Sequence, residues 1–413
     1  MKITSAKLMI AILEYLLMFL IVIEFNTPYT YFPLIGKIVN FVPLILFSFF
    51  LILNIKNVKL DIFFLILLFC SFLPALNVVN GQYSRYVKLY IVFLPLCFLY
   101  FMMLKSKRIN GKMIFLKFSN IVVCLAGISL FFWCLGSIMG IIDYTIMIPN
   151  TWGGDRFIPT YYGLYFETQN ALATSESTES IIRNSGIFNE APMHNFVLCF
   201  ALSIELFLRE KFSFIKSLVL LVTIFTTLST TGFLVLLFLI SCKLYIVYGA
   251  KVRRYFVLVI PLLFLLLLYL TSGILENKKE TGESSYSARS EDIIRCIEVG
   301  LENPILGVGL FHEGDEFGKK ENRFGFSNSL FGIFAHGGFY VSSLYFCALF
   351  IFPFIIFRKT KDKGLLTMQM CFFLLFTFTL SQYRYLTLFV LCYNLAMWDY
   401  LFLNKKRTIK LAK

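Results

Sequence analysis

The chain has few charged residues for its length. Only 15% of its 413 residues are Asp, Glu, Lys or Arg, whereas soluble domains have about 25%. Hydrophobic residues make up 58%, and Phe alone occurs 49 times. A soluble fold of this length has no interior large enough to bury so much apolar surface. The composition therefore excludes an ordinary soluble protein and favours one that lies in a lipid bilayer.

The chain has few histidines and lacks the common nucleotide-binding motifs. The three histidines, His194, His312 and His336, do not have the spacing of a zinc or calcium site. There is no Gly-Lys-Ser/Thr phosphate loop and no Asp-x-Asp pair, and Gly307-Val308-Gly309 is followed by His312 where a dinucleotide fingerprint needs glycine. We expect no metal, no cofactor and no soluble nucleotide-sugar donor.

What the chain does have is long apolar runs. A helix that crosses a bilayer needs roughly 20 apolar residues. Candidate spans lie near 8–25, 38–54, 60–76, 88–104, 114–139, 193–208, 216–229, 231–248, 255–272, 328–356, 365–380 and 386–403. The long run at 328–356 has room for a tilted or interfacial turn. We predict an all-α polytopic membrane protein of about twelve transmembrane helices, forming a single transmembrane domain over residues 1–413.

The net charge of +14 follows the topology of these spans. Roughly two thirds of the 38 basic residues fall in alternate loops, as expected for cytoplasmic loops of a membrane protein. This distribution predicts that both termini are cytoplasmic. It also indicates contacts with membrane lipids and argues against nucleic acid as a partner.

Two loops are long, at about 141–192 and 273–327, and both are predicted to lie outside. The second contains an amphipathic helix predicted to begin near Ser290 and to end at Asn303-Pro304, with Ile293, Ile294, Ile297 and Leu301 on one face. The pattern fits a helix lying on the outer membrane surface and, equally, one packed on the helix bundle.

Arginine and lysine supply the candidate anion-binding groups, because a guanidinium binds phosphate bidentately and keeps its charge. The cations predicted to lie outside that could serve are Arg85, Lys88, Arg183, Arg289, Arg295 and Arg384. Arg289 is predicted to lie beside the start of the amphipathic helix, where free N–H groups favour anions. Each of them could instead contact solvent or lipid headgroups. Glu14 and Glu205 lie within spans and are either functional or paired with a neighbouring helix.

Four ordered motifs resemble those of bacterial O-antigen polymerases and ligases. They are Arg183 to Pro192 (Arg, then Gly-x-Phe-x-Glu-x-Pro), Leu228 to Phe233 (Leu-Ser-Thr-Thr-Gly-Phe), Ser287-Ala288-Arg289 with Asn303 to Leu310 (Ser-x-Arg, then Pro-x-x-Gly-x-Gly), and Ser327-Asn328-Ser329-Leu330 with Gly337-Gly338. Gly300, eleven residues after Arg289, fits an Arg-x10-Gly pattern described for the polymerases.

The resemblance implies a glycosyltransferase of the bacterial inner (cytoplasmic) membrane. Such enzymes transfer a glycan from undecaprenyl diphosphate on the outer, periplasmic face and need no metal or nucleotide. Their expected partners are the lipid-linked oligosaccharide, a chain-length regulator and a flippase. By the resemblance, Arg183, Arg289, Arg295 and Arg85 would bind the diphosphate.

The resemblance is closer to a Wzy-type polymerase than to a ligase, because Ser327 stands where ligases have a histidine before Asn328. The base that accepts the proton of the acceptor hydroxyl is therefore unassigned; Glu190 and His194 are the first candidates, and His312 is the next. With Arg289, Glu190 and His194 form the predicted catalytic set. The alternatives are an O-antigen ligase acting on lipid A-core, a lipid-linked oligosaccharide flippase, and a non-catalytic scaffold.

Overall fold

The computed structural model of the protein describes residues 5–57, 62–79, 82–106, 111–150, 156–169, 182–249, 285–311 and 328–403. Its principal helices, in chain order, are α1 (Ser5–Glu24), α2 (Pro33–Ile52), α3 (Ile62–Phe72), α4 (Tyr83–Ser106), α5 (Lys112–Ile138), α6 (Ala191–Phe207), α7 (Phe214–Thr226), α8 (Thr230–Tyr248), α9 (Ser285–Glu302), α10 (Ser329–Thr360), α11 (Lys363–Phe378) and α12 (Tyr385–Leu403).

The apolar runs of the sequence fold as helices. Eleven of the twelve predicted spans coincide with helices other than α9, and the twelfth, 255–272, lies outside the described residues. Among the described residues, five helices are long and apolar enough to cross a membrane: α2, α4, α5, α8 and α10. Shorter apolar helices include α6, α7 and α11. The predicted helical class is therefore confirmed, whereas the count of twelve spans stays a prediction.

Helix α6 is the inner helix of the bundle. Nearly every residue from Ala191 to Glu205 is buried, and α6 packs against α5, α7, α8 and α11. A helix that is apolar on all sides is expected in an interior position. Gly232 allows α8 to approach α6, because a Cβ there would lie 2.3 Å from the Asn195 side-chain oxygen. This contact accounts for the glycine in the Leu-Ser-Thr-Thr-Gly-Phe motif.

The first long loop contains a small antiparallel sheet that the sequence analysis missed. Its strands are β1 (Ile146–Asn150), β2 (Arg156–Tyr161) and β3 (Tyr165–Phe166), in the order β1-β2-β3. Prolines 149 and 159 lie within β1 and β2, and proline in a run usually argues against a strand. Tyr161 and Tyr165 pack against Phe132 of α5, and this contact holds the sheet against the end of that helix.

Helix α9 begins earlier than predicted, at Ser285. Its buried residues Cys296 and Val299 pack with Ala335 of α10, and a Cβ on Gly300 would meet the Phe334 ring at 2.5 Å. The structure therefore favours the interpretation in which this helix packs on the bundle, but through a different face from the predicted one, because Ile294 and Leu301 are exposed. The expectation that Arg289 lies beside the helix start was wrong, because α9 already includes the Ser-Tyr-Ser-Ala run before Arg289.

Helix α10 is broken at Gly338, which has φ 58° and ψ −162°. The break frees backbone groups that bind the Pro-x-x-Gly-x-Gly segment. Val308 N–H donates to the Ala335 carbonyl at 3.0 Å and Gly309 N–H to the His336 carbonyl at 3.0 Å. In return, Phe339 N–H donates to the Pro304 carbonyl at 2.7 Å. The break at Gly338 is thus a docking site for residues 303–310.

Candidate functional site

Several of the described loops meet at one end of the bundle, which we call the loop end. It carries residues 25–32, the sheet, residues 182–190, the turn between α7 and α8, and residues 379–384. The contacts that join them run from Phe166 to Gly186, from Asn184 to Thr226, and from Asn189 to Asn26. The candidate residues of the sequence analysis are found mainly at this end.

Arg183 is anchored to the turn that joins α7 to α8. Its Nε donates to the Thr227 carbonyl at 2.9 Å and its NH2 group to the Leu228 carbonyl at 3.4 Å. Its NH1 group donates to the side-chain oxygen of Gln169 at 3.3 Å, and the same oxygen accepts the N–H of Ala191 at 3.0 Å. These bonds fix the plane of the guanidinium relative to the start of α6.

His194 supports the loop that carries Arg183. Its ring is buried and stacked on Phe188, with ring centroids 5.3 Å apart. Its Nδ1 lies 3.1 Å from the Asn184 carbonyl oxygen. On the other side, a Cβ on Gly186 would lie 2.7 Å from the ring, and Gly186 has φ 57°. The glycine of the Arg183 motif is therefore required both by the backbone turn and by the close approach of His194.

Glu190 lies half-buried immediately before α6. Its backbone is extended, with φ −155° and ψ 152°, and its side chain does not cap the helix. Its carbonyl oxygen accepts from the N–H groups of Met193 and His194, each at 3.2 Å. The first turn of α6 thus connects the two candidate bases. The catalytic role of each stays a prediction.

A second group of cations lies around Glu24 at the loop end. Arg384 forms an ion pair with the Glu24 carboxylate at 3.6 Å, and Glu24 also accepts the N–H of Tyr385 at 2.8 Å. Glu24 interacts electrostatically with Arg85 and Lys88 as well. We call Arg85, Lys88 and Arg384 the Glu24 cation cluster.

Each member of the cluster is held by a neighbour. Lys88 donates to the Asn40 side-chain oxygen at 2.6 Å. The guanidinium of Arg85 lies over the rings of Phe311 and Tyr383, 5.1 and 5.8 Å from their centroids. Burial is the largest influence on the pKa of Arg384 and lowers it, while the charge of Glu24 raises it. The guanidinium of Arg384 therefore lies in a partly dehydrated place beside a carboxylate.

One described contact links the cluster to the Arg183 loop. The side-chain oxygen of Asn26 accepts from Arg384 at 3.2 Å and from the Asn189 amide at 3.0 Å. Asn189 immediately precedes Glu190. Cations predicted from distant parts of the sequence are thus connected through two asparagines.

The two arginines of α9 are only partly defined. Arg295 is half-buried on α9, and the backbone of Arg289 lies in the same helix, whereas its side chain lies outside the described residues. The segment after α9 leads to Phe311, the ring beneath Arg85. His312 and Ser327 also lie outside the described residues. The diphosphate-binding roles of Arg289 and Arg295 stay predictions.

The two acids within spans are paired with basic groups. Glu14 accepts from Tyr100 at 3.0 Å and forms an ion pair with Lys117. Glu205 is fully buried, pairs with Arg209 and accepts from Ser119 at 2.6 Å. These contacts support the structural interpretation of both carboxylates. Within the described part of the chain, no group of three or more His, Cys, Asp or Glu could hold a metal ion.

The sequence analysis placed Arg85 and Lys88 at one predicted outer turn but did not join Arg384 to them, and it overlooked Glu24 and Gln169. The signal for Glu24 was available, because it is a carboxylate at the end of the first apolar run. An ionisable residue in such a place usually needs a partner. Gln169 gave no signal, since glutamine in a polar loop has no distinctive pattern.

Part of the chain matches one known protein family. Residues 215–346, about a third of the chain, match the family described as O-antigen ligase. The match covers α7, α8, α9 and the first part of α10, and includes the turn that anchors Arg183. No curated protein and no solved structure matched the chain. The match confirms the resemblance to the O-antigen polymerase and ligase family over residues 215–346, and the five described helices that are long and apolar enough to cross a membrane support a multi-pass membrane protein.

Proposed function

We propose that this chain, which carries the O-antigen ligase family segment at residues 215–346, is a polysaccharide polymerase. It transfers a growing glycan from undecaprenyl diphosphate to the next lipid-linked repeat unit. The observation that carries the proposal is the anchoring of Arg183 to Thr227 and Leu228. A cation with a fixed orientation is thereby attached to the family segment at the loop end.

The reaction requires positive charges at fixed positions beside the diphosphate, and one base. The acceptor hydroxyl attacks the anomeric carbon of the donor sugar, and the bond from that carbon to the diphosphate oxygen breaks. Negative charge develops on the leaving diphosphate, and fixed guanidinium groups stabilise it most at that moment. Arg183 has this role in our proposal. Arg289 and Arg295 join it on the strength of the family resemblance.

We assign the base to Glu190 and a positioning role to His194. A carboxylate beside the acceptor can take the hydroxyl proton as the new glycosidic bond forms. Glu190 is half-buried at the start of α6, whereas the ring of His194 is enclosed by Phe188 and Gly186. A base must reach the substrate, so the more exposed residue is the better candidate.

The polymerase is favoured over a ligase by Ser327, which stands where ligases have a histidine. A ligase that transfers the finished chain to lipid A-core is the second candidate, since the family segment carries the name of that activity. In both cases the loop end would face the periplasm, with both termini cytoplasmic and the chain in the bacterial inner membrane. A flippase and a chain-length regulator are the partners we propose for a polymerase.

Deletion of the gene in its host, followed by electrophoresis of surface and lipid-linked glycans, tests the proposal. We expect the ladder of long chains to disappear and a band of core plus one repeat unit to remain. Long chains that stay on the lipid carrier would instead indicate a ligase. Single repeats held on the cytoplasmic side would indicate a flippase. An unchanged ladder would contradict all three.

A further inference from the structure

One face of the small sheet is apolar where a polar face is expected. In the pairing of β1 with β2, Met147 lies opposite Pro159 and Pro149 opposite Phe157. Cross-strand partners share a face, so these four side chains form one surface, which we call the exposed sheet face. Phe157 is 68% exposed and Met147 is 47% exposed. An antiparallel sheet that packs on a protein through one face usually has polar side chains on the other.

The opposite face of the sheet packs on the protein. Ile148 and Ile158 pair with each other and are buried. Asn150 and Thr160, which lie on the same face, are buried as well. The usual pattern is therefore inverted, because polar side chains are buried and apolar ones are exposed. An exposed apolar surface of this kind marks contact with another protein or with a membrane.

The exposed apolar surface begins on α5 and continues toward β1. Helix α5 is long and apolar enough to cross a bilayer, and only 28% of its most apolar stretch is buried in the protein, so the rest is expected to face lipid. At the end of this helix, Ile138 is 50% and Met139 is 59% exposed, and Ile141 beyond it is 67% exposed. Tyr161 of β2 packs on Phe132 of α5. The sheet is therefore held where a membrane-crossing helix ends.

The residues around the exposed sheet face suit a lipid surface. Tyr144 precedes β1, Tyr162 follows β2, and both rings are exposed; tyrosine is enriched where a membrane meets water. The described part of this region has two charged residues, Asp143 and Arg156, and Arg156 pairs with Asn150 on the opposite face. A protein interface usually has a polar rim, whereas this apolar surface runs on to a membrane-crossing helix.

We propose that the exposed sheet face binds the lipid surface at the loop end and lies in the headgroup region of that leaflet. The inference goes beyond the proposed function and applies equally to a polymerase and a ligase. The sheet is attached to the Arg183 loop, because Phe166 N–H donates to the Gly186 carbonyl at 2.9 Å and Arg183 N–H to the Gln169 carbonyl at 3.1 Å. The sheet therefore anchors Arg183 near the lipid surface.

Fluorescence quenching measures where the exposed sheet face lies. A fluorescent amino acid that is excited separately from tryptophan replaces Phe157 in the full-length protein, in nanodiscs of phosphatidylethanolamine and phosphatidylglycerol. Lipids with brominated acyl chains quench from the bilayer, and iodide quenches from water. Phe131, which is exposed on α5, is the lipid control, and Arg156, on the opposite face of the same strand, is the water control. We expect brominated lipids to quench the probe at 157 nearly as strongly as at 131, and iodide to quench mainly the probe at 156.

Two matched variants test the anchoring. Phe157→Glu and Arg156→Gln change the net charge equally, at neighbouring exposed residues on opposite faces of the sheet. Phe157→Glu should accelerate amide hydrogen exchange at Phe166 and Arg183 in nanodiscs by about tenfold, the factor expected when one large apolar side chain loses its contact with lipid. Arg156→Gln should leave both rates unchanged.

Three results would overturn the inference. Iodide quenching as strong at 157 as at 156 would place the exposed sheet face in water. Protection of the probe at 157 from both quenchers would mean that protein covers the face, either another segment of the chain or a second copy. Unchanged exchange at Phe166 and Arg183 in Phe157→Glu would show that the face does not anchor the Arg183 loop. None of these measurements depends on polymer formation, so the inference and the proposed function fail separately.

Discussion

The guanidinium of Arg183 donates from Nε to the carbonyl oxygen of Thr227 at 2.9 Å. This bond joins the Arg183 motif to the residue just before the Leu228–Phe233 motif, more than forty residues away, and it fixes the direction of a charge on the loop between the sheet and α6. A lysine has a single flexible donor group and cannot reproduce several fixed contacts at once.

Arg183→Lys should therefore impair the reaction almost as much as Arg183→Gln. We expect each variant to lower polymer formation by about a hundredfold or more, the size of effect seen when one group that stabilises a developing charge is removed. Reconstituted protein with lipid-linked repeat units gives the rate, and the amount of protein in the membrane fraction controls for insertion. Near-normal activity of the lysine variant would mean that charge alone suffices.

Glu190 and His194 should respond differently to substitution. Glu190→Gln removes the proposed base, so we expect kcat to fall by about 10²–10⁴-fold with little change in KM. His194→Gln should mainly lower thermal stability, because the ring fills the space between Phe188 and Gly186. Steady-state kinetics and thermal unfolding in detergent separate the two effects. A larger loss of kcat in a stable His194→Gln protein than in Glu190→Gln would indicate that His194 is the base.

Gly300 should tolerate no side chain while Phe334 is present. Gly300→Ala should destabilise the protein by about 1–3 kcal/mol through overpacking, because the new Cβ would lie 2.5 Å from the Phe334 ring. The same substitution in a Phe334→Ala background should cost little more. Gly127→Ala is the control, since nothing lies within 4 Å of a Cβ there. Equal losses in both backgrounds would argue against the contact between α9 and α10.

The break in α10 should be necessary for the docking of residues 303–310. Gly338 has φ +58°, and its Cβ would lie 2.5 Å from the Ile305 carbonyl oxygen. Gly338→Ala should accelerate hydrogen exchange at Val308 and Gly309 and reduce polymerase activity, because Phe311 would lose its position beneath Arg85. Gly140 shares the conformation, with φ +63°, and has open space around it. Gly140→Ala thus controls for backbone strain alone.

The helices could be predicted from the sequence because each apolar run identifies its own segment. The relation between segments could not be predicted in the same way. Arg85 and Lys88 share one turn of α4, but Arg384 joins them only when α4 and the start of α12 pack beside the end of α1, and that packing depends on many apolar contacts of similar energy. The start of α9 at Ser285 was missed because its first residues are small and polar, without an apolar period.

The need for glycine in the motifs also depends on contacts between distant segments. Gly186, Gly300 and Gly338 are visible in the sequence as parts of patterns. A side chain at these three positions would collide with the His194 ring, the Phe334 ring and the Ile305 carbonyl, respectively. The local sequence reveals none of these contacts. The signature Pro-x-x-Gly-x-Gly is thus explained as a segment that docks into a broken helix, and its contribution to activity would come through Phe311 and Arg85.

The central claim is that the protein extends a glycan on its lipid carrier. The most direct measurement incubates the purified protein in lipid bilayers with a synthetic undecaprenyl-diphosphate-linked repeat unit as the only glycan substrate, and then separates the products by length. The account predicts a ladder of longer lipid-linked chains, released undecaprenyl diphosphate, and no ladder with Arg183→Gln. A wild type that leaves the repeat unit unchanged, yet transfers a preformed chain to added lipid A-core, would contradict it.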